Sequence, residues 1–249
     1  KFELSHKQFE NLFNYAKKKK LICFSTPLHV DDINFLKDKS QMIKISSGDL
    51  THHNLLAYAA LTNLPLIIST GMATIKEIDG ALKVLKKINP KLINDGKVML
   101  LHCVALYPTE REKINLKGIT FLRKKYKLPI GFSDHTIGIK ACLAATCLGA
   151  KLIEKHFTYR IEDQDFHDHK ISADFKMMKR LVEEIKDLEK YLGDESKKIS
   201  FDERNNRKHL RRSFAARTNL KKGKKLCDED LILLRPEWGF KAHEKNKLI

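Results

Sequence analysis

A strand-like run followed by an amphipathic helical pattern recurs through the first 190 residues of this 249-residue chain, and that alternation constrains the fold more than any other feature. Short β-rich runs stand at 21–27, 42–48, 64–71, 97–104, 128–134 and 151–158. Between them apolar residues recur at three- and four-residue spacing, the period of a helix with one buried face. Ser5 with Gln8 predicts a capping box ahead of Phe9, Leu12 and Phe13, and Thr74 with Glu77 another ahead of Ile78, Leu82 and Leu85. Phe175, Met178, Leu181, Val182, Ile185 and Leu188 predict a long helix that stops at Gly193.

Alternating strands and helices imply a parallel sheet, either open or closed into a barrel. The strand ends distinguish the two. Ser25-Thr26, Ser46-Ser47, Ser69-Thr70, His102, Ser133-Asp134-His135 and Glu154-Lys155-His156 all lie at C-terminal strand edges. In a (β/α) barrel those edges converge on one mouth, where chemistry is done. An open doubly wound sheet usually carries a Gly-rich first turn, and no GxGxxG follows a strand here. A barrel is therefore expected. Six strands are visible where the (β/α)8 TIM barrel has eight, and the chain opens on a helical pattern. The expectation is an α/β barrel domain over 1–193 that lacks its first two strands. Polar residues 194–208 read as a linker, and 209–249 as a small, partial β-rich domain.

No apolar run approaches the roughly 20 residues that cross a bilayer, and no signal segment is visible, so no membrane partner is expected. The five cysteines include no CxxC pair and sit mostly in apolar segments, the usage of a reducing cytoplasm. A net charge of +17 invites a nucleic-acid partner. The lysines crowd helix ends and exposed faces without interleaved aromatics, so no nucleic-acid role is expected, and the charge favours anionic substrates instead.

Two residues suggest a reaction centre. His135 and His156 close consecutive predicted strands 21 residues apart. Neighbouring strands lie about 5 Å apart, so the pair can share one divalent cation, which would act as a Lewis acid on an aldehyde oxygen, or it can simply hydrogen-bond within the rim. By the two-residue period of a strand, Ser133 points with His135 and Glu154 with His156. Thr26, Lys44, Ser46, Ser47, Ser69 and Thr70 end other strands and together resemble a phosphate cradle, although each hydroxyl alone suits a turn or an N-cap. The stretch Gln164-Asp165-Phe166-His167-Asp168-His169-Lys170 reads either as a loop closing over substrate hydroxyls or as a solvated loop, with His167 and His169 at metal-ligand spacing.

The blocks Lys44-Ile45-Ser46-Ser47-Gly48-Asp49, Ile68-Ser69-Thr70-Gly71-Met72, Leu101-His102-Cys103 with Tyr107-Pro108-Thr109, Gly131-Phe132-Ser133-Asp134-His135-Thr136-Ile137-Gly138 and Glu154-Lys155-His156-Phe157-Thr158 follow one another in order. Asp168-His169-Lys170, Arg211-Arg212-Ser213, Lys221-Lys222-Gly223 and Arg235-Pro236 continue the series. In these motifs the chain resembles the sialic acid synthase family over nearly its whole length. The resemblance implies a barrel followed by an antifreeze-like (SAF) domain, a domain-swapped homodimer, and condensation of phosphoenolpyruvate with N-acetylmannosamine or a related amino sugar to release phosphate. Carried over, His135 and His156 would hold Mn²⁺ or Mg²⁺. Thr26, Lys44, Ser47, Ser69 and Ser133 would hold phosphoenolpyruvate. Asp49, Tyr107 and Asp168 would contact the sugar, and Arg235 would reach it from the partner subunit.

Glu154 is the expected proton-handling group. A catalytic Glu and Lys on the family's first two strands have no counterpart in this sequence, Ala105 stands where some members place an Asn, and Glu237-Trp238-Gly239 replaces the usual Gly-x-Gly after Arg-Pro. Two other readings stay open: an inactive or split-gene remnant that binds anions or a partner chain, and a metal-dependent barrel aldolase that uses no phosphoenolpyruvate.

Overall fold

A computed structural model of the chain describes residues 4–162 and 167–249 and divides it into two units, Lys1–Gly193 and Asp194–Ile249. In the first, α1 (His6–Lys18) and α2 (Val30–Leu36) precede β1 (Ile43–Ile45). The order continues with α3 (His53–Leu61), β2 (Leu66–Ser69), α4 (Ile75–Ile88), α5 (Pro90–Asn94), β3 (Val98–Cys103), α6 (Lys117–Tyr126), β4 (Ile130–Asp134), α7 (Lys140–Cys147), β5 (Ile153–Lys155) and α8 (Phe175–Leu192). The five strands pair in chain order, all parallel, each beside its predecessor. Helical crossovers between sequential parallel strands give the progression of a curled, barrel-type sheet.

Alternation along the strands sorts their residues onto two faces. Ile43, Ile45, Leu66, Ile68, Val98, Leu100, Ile130 and Phe132 join one core with Leu55 and Leu56 of α3, Ile78 and Leu85 of α4 and Ile119 of α6. That face is the one the helices cover. The alternate residues fall in register on the other face: Lys44 beside Ile67, Ser69 beside Leu101, Leu101 beside Gly131, and Cys103 beside Ser133 beside Glu154. Apolar side chains line its N-terminal part and polar ones its C-terminal rim. Gly131 is needed on this face, because a Cβ there would stand 2.5 Å from Leu101 Cδ2 and 2.9 Å from the Leu152 carbonyl oxygen.

Local signals agree with these elements. Both capping boxes form, Ser5 with Gln8 on α1 and Thr74 with Glu77 on α4, and α8 stops at Gly193, whose φ of 57° suits glycine. Residues 21–27 depart from expectation. They contribute to the sheet only an isolated bridge, Ser25 to Ile43. Leu21 and Ile22 are 64% and 60% exposed, so no apolar burial holds them extended, and Pro27 has no N–H to offer a ladder.

The second unit holds α9 (Phe201–Leu210) and the antiparallel pair β6 (Ser213–Ala216) and β7 (Leu231–Leu234), with Ser213 opposite Leu234. Helix α9 occupies part of the stretch that reads as a linker, 194–208. Ser200 accepts a hydrogen bond from the Glu203 N–H. Asp202 and Glu203 stand in the first turn and Arg207, Lys208 and His209 in the last, so the charges that read as a solvated tether complement a helix dipole. No helix among the described residues is long and apolar enough to cross a membrane.

Candidate active site

The polar rim at the C-terminal strand ends is a connected set of side chains. Lys44, only 10% exposed in its side chain, places Nζ 3.4 Å from Glu154 Oε2. The Ser133 hydroxyl donates to the other oxygen of the same carboxylate at 2.6 Å. Ser47, in the turn after β1, accepts the Gly71 N–H at 3.0 Å and lies 3.3 Å from Cys103 Sγ. Gly71 permits that approach: a Cβ there would stand 2.8 Å from Ser47 Oγ and 3.1 Å from Cys103 Sγ. Ser69 is 3% exposed, and its hydroxyl has no hydrogen-bond partner among the described residues. An unpaired buried hydroxyl costs about 1–3 kcal/mol, a cost a bound anionic oxygen would remove.

On the neighbouring part of the rim stand the two histidines. Their ring centroids are 5.5 Å apart, and the Tyr107 ring lies 4.1 Å from His135 and 5.9 Å from His156. His135 Nδ1 bonds the Val104 carbonyl at 2.7 Å, which makes Nδ1 the protonated nitrogen and leaves the Nε2 lone pair for an electrophile. The Thr109 N–H closes the same loop onto the His135 carbonyl at 2.9 Å. Burial pulls the His135 imidazole below its ordinary pKa, with the facing His156 adding to the effect. His156 Nδ1 faces Asp168 Oδ2 at 3.5 Å. Burial raises the Tyr107 phenol, helped by Cys103, Asp168 and Glu154.

Several residues singled out from the sequence stand elsewhere. His102 faces the helices rather than the mouth: its Nε2 bonds the Ile114 carbonyl at 2.9 Å, its ring lies over Phe132, and Gly118 leaves it room. It occupies the outward parity of β3. The Thr70 hydroxyl donates to the Leu101 carbonyl at 2.8 Å, and the Ser46 hydroxyl to Asp49 Oδ2 at 2.5 Å, so both are engaged within the backbone and the turn. Thr26 lies on the wall of a cavity of about 700 Å³, beside His6, Phe9, Pro27 and Phe35. His169 Nδ1 pairs with the Thr158 hydroxyl at 2.7 Å. Gln164, Asp165 and Phe166 lie outside the described residues. Arg235 follows β7 in the second unit, exposed.

Sequence reasoning assigned no part to Cys103, to the Val104 carbonyl, or to Asp134 and Lys155, which form a buried ion pair at 2.8 Å. The missed signal was parity. Opposite charges at matching outward positions of adjacent strands stand where apolar residues belong, and only pairing makes that tolerable.

Among the described residues no group of three or more His, Cys, Asp or Glu is arranged to hold a metal ion. The two imidazoles, with ring centroids 5.5 Å apart, could offer two nitrogen donors to a divalent cation. Two imidazoles leave the rest of a coordination sphere to water and substrate oxygens, so this donor set does not by itself choose among divalent cations.

The profile of the NeuB family matches residues 1–197. An uncharacterized protein of Methanocaldococcus jannaschii is 40% identical over 243 residues, which span 96% of this chain and 70% of that protein. The N,N'-diacetyllegionaminic acid synthase of Campylobacter jejuni is 38% identical over 243 residues, 97% of this chain and 72% of the relative. Among solved structures, the N-acetylneuraminic acid (sialic acid) synthetase of Leptospira borgpetersenii in complex with citrate superposes with a TM-score of 0.76 at 36% identity, over 82% of this chain and 70% of that one. With its family profile matched across the whole parallel-sheet unit and these relatives spanned over most of their length, the chain belongs to the NeuB family.

Proposed function

We propose that this protein condenses phosphoenolpyruvate with N-acetylmannosamine or a related amino-sugar aldehyde, giving a nonulosonic acid and phosphate. The observation that carries the reading is the unpartnered, buried Ser69 hydroxyl on the rim that also bears the buried Lys44 ammonium. The Ser69 hydroxyl lacks an acceptor among the described residues, and the Lys44 ammonium, already paired with Glu154, is the cation on the same rim that a bound anion would share. The relatives are named for making sialic-type acids, and the family likeness implies phosphoenolpyruvate as the anion and an amino sugar as its co-substrate.

In this reading Lys44, Ser47, Ser69 and Ser133 hold the phosphate and carboxylate of phosphoenolpyruvate; Thr26, which lines another cavity, joins them only by the family likeness. That orientation aims the enol carbon at the sugar aldehyde. His135 and His156 would hold Mn²⁺ or Mg²⁺, which when bound would supply Lewis acidity to the aldehyde oxygen. The carbon–carbon bond forms, water adds to the resulting oxocarbenium-like carbon, and C–O cleavage expels phosphate. Glu154, held between Lys44 and Ser133, takes the proton from that water. Tyr107 and Asp168 border the imidazoles and meet the sugar, with Asp49 farther along the rim.

The finer parts of the reading rest on the family likeness. They are an eight-stranded barrel of which this sheet is a part, an SAF-type second unit, a domain-swapped homodimer in which Arg235 reaches the partner's sugar, and a cytoplasmic location. The free cysteines suit the last.

The test is phosphate release by the full-length reading frame, over a panel of amino sugars with Mn²⁺ present. Release that requires both phosphoenolpyruvate and one sugar supports the proposal. Aldol chemistry without phosphoenolpyruvate, or binding without turnover, replaces it.

A further inference from the structure

The Asp134–Lys155 ion pair is among the most deeply buried polar contacts of the first unit, with side chains 0% and 1% exposed. Stability does not account for such a pair. Each buried ion loses several kcal/mol of solvation, and apolar replacements of similar volume often fold as well or better. The contacts the two groups make suggest another role. Lys155 Nζ donates to Asp134 Oδ2 and to the Thr136 carbonyl, while Asp134 Oδ1 accepts the Thr136 N–H at 2.9 Å. The Cys142 thiol, from α7, adds a bond to Asp134 Oδ2 at 3.1 Å. Both residues that flank His135 are thereby tied to Lys155, the residue that precedes His156.

Strand β5 is only three residues long, so the backbone ladder alone holds the end of β4 against it weakly. Asp134 pairs with Lys155 in register, and both point toward the helices. By strand alternation the next residue on each chain, His135 and His156, faces the mouth. A one-residue slip would send one imidazole to the wrong face.

We propose that the Asp134–Lys155 pair is a positioning device that locks the ends of β4 and β5 so that His135 and His156 converge on one cation. The inference rests on the metal reading of the proposed function. It assigns to a helix-facing charge pair the task that a carboxylate bonded to a ligating imidazole performs in other metal sites, where loss of the outer partner lowers affinity by about 10- to 100-fold.

The experiment is direct Mn²⁺ titration of the full chain, with free ion read by electron paramagnetic resonance, comparing wild type with Asp134→Asn/Lys155→Met. The double variant removes both charges at nearly constant volume. The expected result is a folded protein whose Mn²⁺ affinity falls roughly 10- to 100-fold, while phosphoenolpyruvate affinity measured without metal is unchanged. General loosening of the fold would weaken both, and that outcome overturns the proposal. Should the double variant fail to fold, Asp134→Asn/Lys155→Gln, which strands no buried charge and keeps an acceptor for the Thr136 N–H, decides by the same readout. Wild-type Mn²⁺ affinity in a folded variant, with binding abolished by His135→Ala, overturns this inference and leaves the metal reading standing. Absence of Mn²⁺ binding in the wild type, or binding that survives His135→Ala, overturns both.

Discussion

Lys44 on β1 and Glu154 on β5 meet at 3.4 Å, although they belong to the two edge strands of the five-stranded sheet. In a flat sheet, four interstrand spacings would hold those backbones roughly 19 Å apart, beyond the reach of the two side chains. The contact therefore requires a sheet curled toward its polar face. It also makes the rim one electrostatic unit, with the lysine of the first strand satisfied by the carboxylate of the last.

Lys44→Met should leave the fold intact and weaken phosphoenolpyruvate binding. Charge-assisted hydrogen bonds contribute about 1.5–3 kcal/mol, so affinity should fall roughly 10- to 100-fold. Calorimetric titration with phosphoenolpyruvate reads this directly, and unchanged affinity would remove Lys44 from the anion site.

Glu154→Gln keeps an acceptor for the Ser133 hydroxyl and removes the carboxylate's basicity. Turnover of the full-length enzyme should fall by about 10²- to 10⁴-fold, with a much smaller change in KM for phosphoenolpyruvate. Normal turnover would relieve Glu154 of proton handling.

Gly71→Ala places a methyl group 2.8 Å from Ser47 Oγ and 3.1 Å from Cys103 Sγ. One of the two must shift, at about 1–3 kcal/mol of stability, and the Gly71 N–H bond to Ser47 stretches. Urea denaturation should show the loss, and phosphoenolpyruvate affinity should fall with it. A variant as stable as wild type would mean that Ser47 moves freely.

Acidification should destabilise the fold. Burial lowers the imidazole pKa of both His102 and His135, whereas in the unfolded chain both titrate near 6.5. Above that value neither state is protonated and stability is complete. As pH falls below about 6.5 toward the depressed native values, the unfolded chain binds protons that the native state refuses, and stability declines. Urea midpoints compared at about pH 8 and about pH 5.5 test this, and His102→Gln should flatten the profile. A midpoint that rises on acidification contradicts it.

The parallel alternation, the helix caps at Ser5 and Thr74, and the side on which Ser133, Glu154 and the two histidines lie were all legible in the sequence, because they follow from periods of 3.6 and 2. What was not legible depended on parity or on distant partners. His102 stood at a strand end like the others, yet its position in β3 turns it outward. Thr70 and Ser46 looked like ligand donors until the Leu101 carbonyl and Asp49 claimed them. The helix at Phe201–Leu210 has too few apolar residues for its period to be heard above its charges.

The strict parity of β4 bears on how this protein tolerates changes in length. Ile130 and Phe132 are committed to the helices and Gly131 and Ser133 to the mouth. A single inserted or deleted residue would exchange the two sets and thrust aliphatic and aromatic bulk onto the polar rim. Changes in length should therefore be tolerated in the connecting loops, such as the one that carries Tyr107, where the chain can lengthen or shorten without unmaking the scaffold.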